Sequence, residues 1–232
     1  MQKGSHIVSV SLGTVAEPTG LVVVDPRTQF SEPDEEYDLE ETYSRRNAGY
    51  GRQRDSENYF NVTWIERFDA GRSIPAIVAR VSELISNKLL AKKCSLLLDI
   101  TSTGATPRRV FEDRGLHPTL IDLTNSGSEE RSGEVKRVPL RDVIGAAQVV
   151  VHTRRLKVAD KLDLASTLAG DLLSCNPKPV ARGLDLRGGR NSDLVLALAV
   201  ALWWADDLTW GDDAGPAPHR PVHTGAGGWM GM

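Results

Sequence analysis

The chain is poor in the features that would place it in a membrane or an oxidising compartment. No apolar run reaches the roughly 18 residues needed to span a bilayer. The start, "MQKGSHIVSVSLG", has no apolar core of a signal peptide and runs straight into a β-rich stretch. Only two cysteines occur, Cys94 and Cys175, far apart and without a CxxC or histidine neighbour. They read as reduced core thiols, not as a disulfide or a metal site. There is no internal repeat and no "GxxxxGK[ST]" phosphate loop. The expectation is a cytoplasmic protein without a nucleotide-hydrolysing motor of its own.

What is present suits a globular domain: 232 residues, 40% hydrophobic and 25% charged. The net charge of −3 is unevenly spread. Residues 1–60 hold 11 acids and 6 bases, the remainder 20 acids and 22 bases. The body is therefore mildly basic, which permits a nucleic-acid partner without demanding one.

Along the chain, "HIVSVSLG" (6–13) and "GLVVVD" (20–25) read as a hairpin. Residues 31–58 combine an acidic and an Arg-rich block with little apolar content. They are expected to form a flexible insertion, a regulatory or DNA-contacting arm being the other reading. "YFNVTWIERF" (59–68) alternates as a third strand. "SIPAIVARVSELISNKLL" (73–90) has helical spacing, with Ser73 as a cap candidate and Pro75 in the first turn. "CSLLLDI" (94–100) reads as a strand buried on both faces. "TPRRVFEDRG" (106–115) reads as a short helix and "TLIDLT" (119–124) as a strand. An antiparallel meander then gives way to alternating helices and strands. The expected class is α/β, a mixed sheet flanked by helices.

Residues 125–134 read as a polar loop, 139–151 and 161–175 as helices around a strand-like "RRLKVA", and 181–190 as strand and turn. "NSDLVLALAVALWWAD" (191–206) is a helix apolar nearly all round. Trp203, Trp204 and Trp210 fit a core or an interface. Residues 1–210 are expected to form one domain and 211–232 a disordered Gly/Pro-rich tail.

Two aspartates draw attention. Asp99 ends the buried strand before "ITSTGAT", and the carboxyl end of a central strand is where α/β sites tend to form. It could equally be a turn or capping residue. Asp193 opens the apolar helix, where the helix dipole alone would favour an acid. If the helix packs across the sheet end, the two carboxylates converge, and like charges that converge call for a cation between them. Hard divalent ions are held by one or two carboxylates with waters and substrate phosphates.

The order of elements, with "LLLDITSTG" and "GGRNSDLVLALAVALWW", resembles the C-terminal nuclease domain of the tailed-bacteriophage terminase large subunit, an RNase H-like fold. Asp99, Thr101 and Gly104 match the family's Asp-x-Thr-x-x-Gly, and Asp193 begins its acidic final helix. "RFDAGRSIPAIVARVSELI" is similar to its third strand and following helix. The resemblance implies cleavage of double-stranded DNA during genome packaging with two Mg²⁺ or Mn²⁺ ions, Asp99 and Asp193 serving as catalytic and metal-binding residues. It also implies a third, bridging acid on the first strand. Ser11 stands there in "VSLG", and a hydroxyl is a neutral, weak ligand. Glu17, in the following turn, is the better substitute. Asp25 is expected to pair near Val8 and face away from Ser11.

Arg187 and Arg190, just before Asp193, and Arg108 and Arg109, just after Asp99, are the first candidates for DNA contacts. Lys136, Arg137, Arg154, Arg155 and Lys157 could extend the track, and 125–137 could form a flap. The resemblance implies the bacterial host cytoplasm as location, with a portal protein and a separate packaging ATPase as partners. The chain would be a split subunit, a stand-alone relative, a prophage remnant or an excised domain. Two other readings stay open: an inactive RNase H-like domain that binds DNA or a packaging partner, and a junction-resolvase-like nuclease.

Overall fold

The computed structural model describes residues 6–30, 56–87, 90, 94–125, 127–175, 178–180, 183–185 and 193–211. Its strands are β1 (His6–Ser11), β2 (Thr19–Phe30), β3 (Ser56–Phe68), β4 (Cys94–Asp99), β5 (Thr119–Thr124), β6 (Glu130–Ser132), β7 (Val135–Pro139), β8 (Leu156–Val158), β9 (Lys178–Val180) and β10 (Gly183–Asp185). Its helices are α1 (Ile74–Ile85), α2 (Arg108–Glu112), α3 (Leu140–His152), α4 (Ala165–Ser174) and α5 (Asp193–Gly211). Eight strands form one sheet in the order β6-β7-β5-β4-β1-β2-β3-β8, and β9 and β10 pair separately. β1, β2 and β3 are antiparallel neighbours, whereas β1, β4, β5 and β7 run parallel. This is the expected mixed sheet.

Alternation along the strands sorts the core into two layers. Val8, Val10, Leu21, Val23, Leu96 and Leu98 pack with Ile77, Val78 and Val81 of α1. Ile7, Val22, Val24, Leu97 and Ile121 pack on the other face with α3, α4 and α5. Helix α5 lies over the middle of the sheet, and Leu194, Ala197, Leu198, Val200 and Ala201 are wholly buried. That explains why it is apolar on nearly every side. No helix among the described residues is long and apolar enough to cross a membrane.

Several expected boundaries move. β2 continues to Phe30 and β3 starts at Ser56, so residues 56–58 belong to the strand and not to the insertion. The remaining insertion, 31–55, lies outside the described residues, as do 212–232. Among the described residues, β2 past Val24, where Pro26 lies, pairs with β3. Residues 125–134 are not all loop: β6 pairs with β7 there, a strand that polar "VKR" gave no reason to expect. Ser73 takes the cap position of α1 but makes no side-chain cap bond.

Between Val23 and Val24 the pairing of β2 with β3 shifts by one residue: Val23 faces Trp64 and Val24 faces Val62. Thr63 is the extra residue, a bulge that reverses which face later side chains of β3 take. Ile65 thereby joins Phe60 and Val62 under α5. Arg67, two residues on, takes the same face.

Candidate metal centre

One cross-strand row carries the site. Arg67 of β3 pairs with Gly20 of β2, Gly20 with Ser11 of β1, and Ser11 with Asp99 of β4. Parity with Ile65, Val22, Ile7 and Leu97 puts all four on the α5 face. Two strand spacings separate Gly20 from Asp99, about 10 Å between Cα positions.

Gly20 explains how α5 reaches this row. A Cβ at Gly20 would stand 2.5 Å from the carbonyl carbon and oxygen of Asp193. Only a residue without a side chain lets the helix start settle on the strand. Asp193 is thus anchored one strand beyond Ser11, and 6% of it is exposed.

Asp99 is 3% exposed and held by hydroxyl and amide donors. The Ser11 hydroxyl donates to Asp99 Oδ2 at 2.8 Å. The backbone N–H of Thr101 donates to Oδ1 at 3.0 Å, and the Thr101 hydroxyl gives a short bond to the same oxygen. The N–H of Leu123 in turn donates to Thr101 Oγ1 at 2.8 Å, tying the loop to β5. This accounts for the threonine of the Asp-x-Thr-x-x-Gly run. Its glycine, Gly104, closes the turn with φ +68°, a conformation other side chains rarely adopt. The Gly104 N–H donates to the Ile100 carbonyl at 2.7 Å.

Asp193 is held by a charge. Arg67 Nε donates to its Oδ2 at 2.8 Å and Arg67 Nη2 to its Oδ1 at 3.0 Å, a bidentate pair. The same Nη2 donates to Asp171 Oδ2 of α4 at 2.5 Å. The side chains of Asp171 and Asp193 are 6% and 5% exposed, that of Arg67 22%. Burial alone would lower the Arg67 pKa; the bonds to Asp193 and Asp171 outweigh it and raise it above the ordinary value. Sequence reasoning missed both Arg67 and Asp171. A lone arginine in an alternating strand and an aspartate in an amphipathic helix carry no local signal.

The other expected residues lie apart. Glu17 is exposed in the turn between β1 and β2, its carboxylate 3.4 Å from the Thr14 hydroxyl. Among the described residues no three His, Cys, Asp or Glu side chains stand together as a metal-binding group. Asp25 pairs with Arg27 at 2.7 Å and lies 3.9 Å from His6. The hairpin sets Ile7 opposite Val24, so Asp25 falls two residues from the expected Val8 but keeps its parity, facing away from Ser11.

Arg108 is paired with Glu112 and Glu134, and Arg109 is exposed on α2. Lys136 pairs with Glu129 at 2.8 Å and lies over Trp203 and Trp204 at 4.6 and 5.2 Å. Arg137 lies 3.5 Å from Asp122; Arg155 and Lys157 cover Phe60 and Tyr59, and Arg154 is exposed. Surface pairs of this kind hold weakly and leave the bases able to exchange partners. Arg187 and Arg190 lie outside the described residues. Trp203 is buried and Trp204 half-buried. Cys94 and Cys175 are free and half-buried, and burial raises both thiol pKa values.

No known family model and no curated protein matches the sequence. Solved structures do match the fold. The large terminase nuclease from thermophilic phage G20c superposes with a TM-score of 0.51 at 14% identity, over 87% of this chain and 82% of the other. Its form with bound magnesium gives 0.51 at 13%, with the same coverage. The Mn-soaked human cytomegalovirus terminase nuclease domain gives 0.50 at 12%, over 89% and 86%. The mixed sheet, the helices on its two faces and these superpositions together give this chain the RNase H-like fold of terminase nuclease domains.

Proposed function

We propose that this chain is a terminase-type, metal-dependent endonuclease domain acting on double-stranded DNA. The observation that carries the reading is the row Asp99–Ser11–Gly20 facing α5, with Asp193 at the start of that helix seated on Gly20. Asp99 and the Ser11 hydroxyl lie at the ends of the parallel strands β4 and β1, and Asp193 at the start of α5 over the neighbouring strand β2. Together they would offer two carboxylates and a hydroxyl to one hard divalent ion, Mg²⁺ or Mn²⁺. They do not suit two, because a shared pair needs a bridging carboxylate and Ser11 offers only a hydroxyl. Asp99 and Asp193 would hold the ion, which when bound supplies Lewis-acid polarisation of the phosphodiester and an activated water.

The chain's own groups have separable tasks. Thr101 fixes the orientation of Asp99. The Ser11 hydroxyl can rotate its proton away and present a lone pair. Arg108 and Arg109, following Asp99, and Arg187 and Arg190, preceding Asp193 in sequence, would meet phosphates and set affinity, not sequence preference. In this reading residues 1–210 form the nuclease domain, Glu17 stays a reserve acid at the rim, and the portal and a separate packaging ATPase are its partners in the host cytoplasm.

A second reading has an observation of its own. Arg67 already neutralises Asp193, so the domain can hold its fold without any metal and serve only to bind DNA or a packaging partner. Supercoiled plasmid with Mn²⁺, beside an Asp99→Ala control, separates the two. Nicking or linearisation that vanishes in the control is expected. DNA binding without cutting, in both the unmodified chain and Ser11→Asp, would transfer the conclusion to the second reading.

A further inference from the structure

The guanidinium of Arg67 stands where a cation serving Asp193 would stand. Both Asp193 oxygens accept from it, at 2.8 and 3.0 Å, and its Nη2 also reaches Asp171 at 2.5 Å. The two acids come from different helices, α4 and α5, and both are more than nine-tenths buried. They meet only because the Thr63 bulge turns Arg67 toward them and Gly20 admits the start of α5. A carboxylate whose two oxygens both accept from one guanidinium has spent its best lone pairs. A divalent ion that takes Asp193 through those same lone pairs must displace that fork.

We propose that Arg67 is a resident cation that competes with divalent ions for Asp193 and thereby sets the metal affinity of the site. This rests on the reading of Asp99 and Asp193 as metal ligands. Ser11, whose hydroxyl can rotate away from Asp99 Oδ2, and Asp99 form the other part of the site. Asp193 joins when Arg67 yields, and Asp171 keeps the displaced arginine nearby as its remaining counter-ion. The role of Asp171 is thus to hold Arg67, not to bind metal.

The test is Mn²⁺ binding by the whole chain, followed by calorimetry. Arg67→Gln is expected to bind Mn²⁺ at least tenfold more tightly than the unmodified chain, and Arg67→Lys to lie between them, since an ammonium cannot make the planar fork. Removing the arginine strands two buried acids, so Arg67→Gln can lose its fold. Arg67→Gln with Asp171→Asn removes one charge of each sign and should show the same tightening. The unmodified chain offers a readout without substitution: the Arg67 Nε–H resonance, sheltered by Asp193, should shift and exchange faster as Mg²⁺ is added. Unchanged or weaker Mn²⁺ affinity in the folded variants, or an Arg67 resonance indifferent to Mg²⁺, overturns the proposal. Tight Mn²⁺ binding by Arg67→Gln with no plasmid cleavage by either the variant or the unmodified chain would leave this proposal standing and remove the nuclease reading. Cleavage by the unmodified chain with unaltered affinity in the variants would do the reverse.

Discussion

The two aspartates of the site have different neighbours among the described contacts. Asp99 is gripped by a serine hydroxyl, a threonine hydroxyl and an amide. Asp193 is gripped by an arginine shared with a second buried acid. The two hydroxyls can turn without leaving a charge of their own unpaired, while the amide is fixed by the backbone. The arginine cannot leave without exposing two carboxylates to a poorly solvated interior. An aspartate on the sheet and one on the helix that covers it therefore differ in how readily each can change partner, and the difference comes from neighbours that neither aspartate reveals.

The sharpest way to break this contrast is to remove the charge at the Asp193 end. Arg67→Met should cost about 3 kcal/mol or more, since it leaves buried acids without their partner. Urea unfolding measures it, and adding Asp171→Asn should recover part of the loss. A loss under about 0.5 kcal/mol would mean the pair is solvated and the contrast false.

The seat of α5 comes next. Gly20→Ala puts a Cβ 2.5 Å from the Asp193 carbonyl. Overpacking of this kind costs about 1–3 kcal/mol, and Asp193 should shift with the helix. Denaturation with hydrogen exchange at the start of α5 would detect both.

At the neutral end, Thr101→Val removes a donor to Asp99 and strands the N–H of Leu123. A stability loss of about 1–2 kcal/mol is expected, smaller than at Arg67 because no charge is left unpaired. Ser11→Asp removes a donor to Asp99 and sets two buried acids side by side on neighbouring strands. An uncompensated buried charge destabilises by about 3 kcal/mol or more, and Mn²⁺ should restore much of the lost melting temperature. Melting curves with EDTA and with Mn²⁺ would show whether it does.

How far could the sequence be read? The element order was legible because apolar periodicity changes cleanly from strand to helix. The continuous run "CSLLLD" marked a central strand, and the all-round apolar "LVLALAVAL" marked the buried helix that crosses it. Ser11 and Asp99 were singled out together by the resemblance, not by any strand pairing read from the sequence. Arg67 was hidden because one extra residue, Thr63, reverses the facing of β3, and a bulge leaves no trace in an alternating pattern. Asp171 was hidden because a helical acid looks solvated until the opposing strand is known. β6 and β7 were missed because short, polar strands carry little alternation.

The idea of one ion shared by Asp99 and Asp193 meets its most direct test in Mn²⁺ calorimetry on Asp99→Ala and Asp193→Ala as separate variants. If the two carboxylates share an ion, either substitution alone should abolish the binding seen in the unmodified chain. If the unmodified chain binds no Mn²⁺, or binding survives in both variants, the two aspartates do not form a metal site.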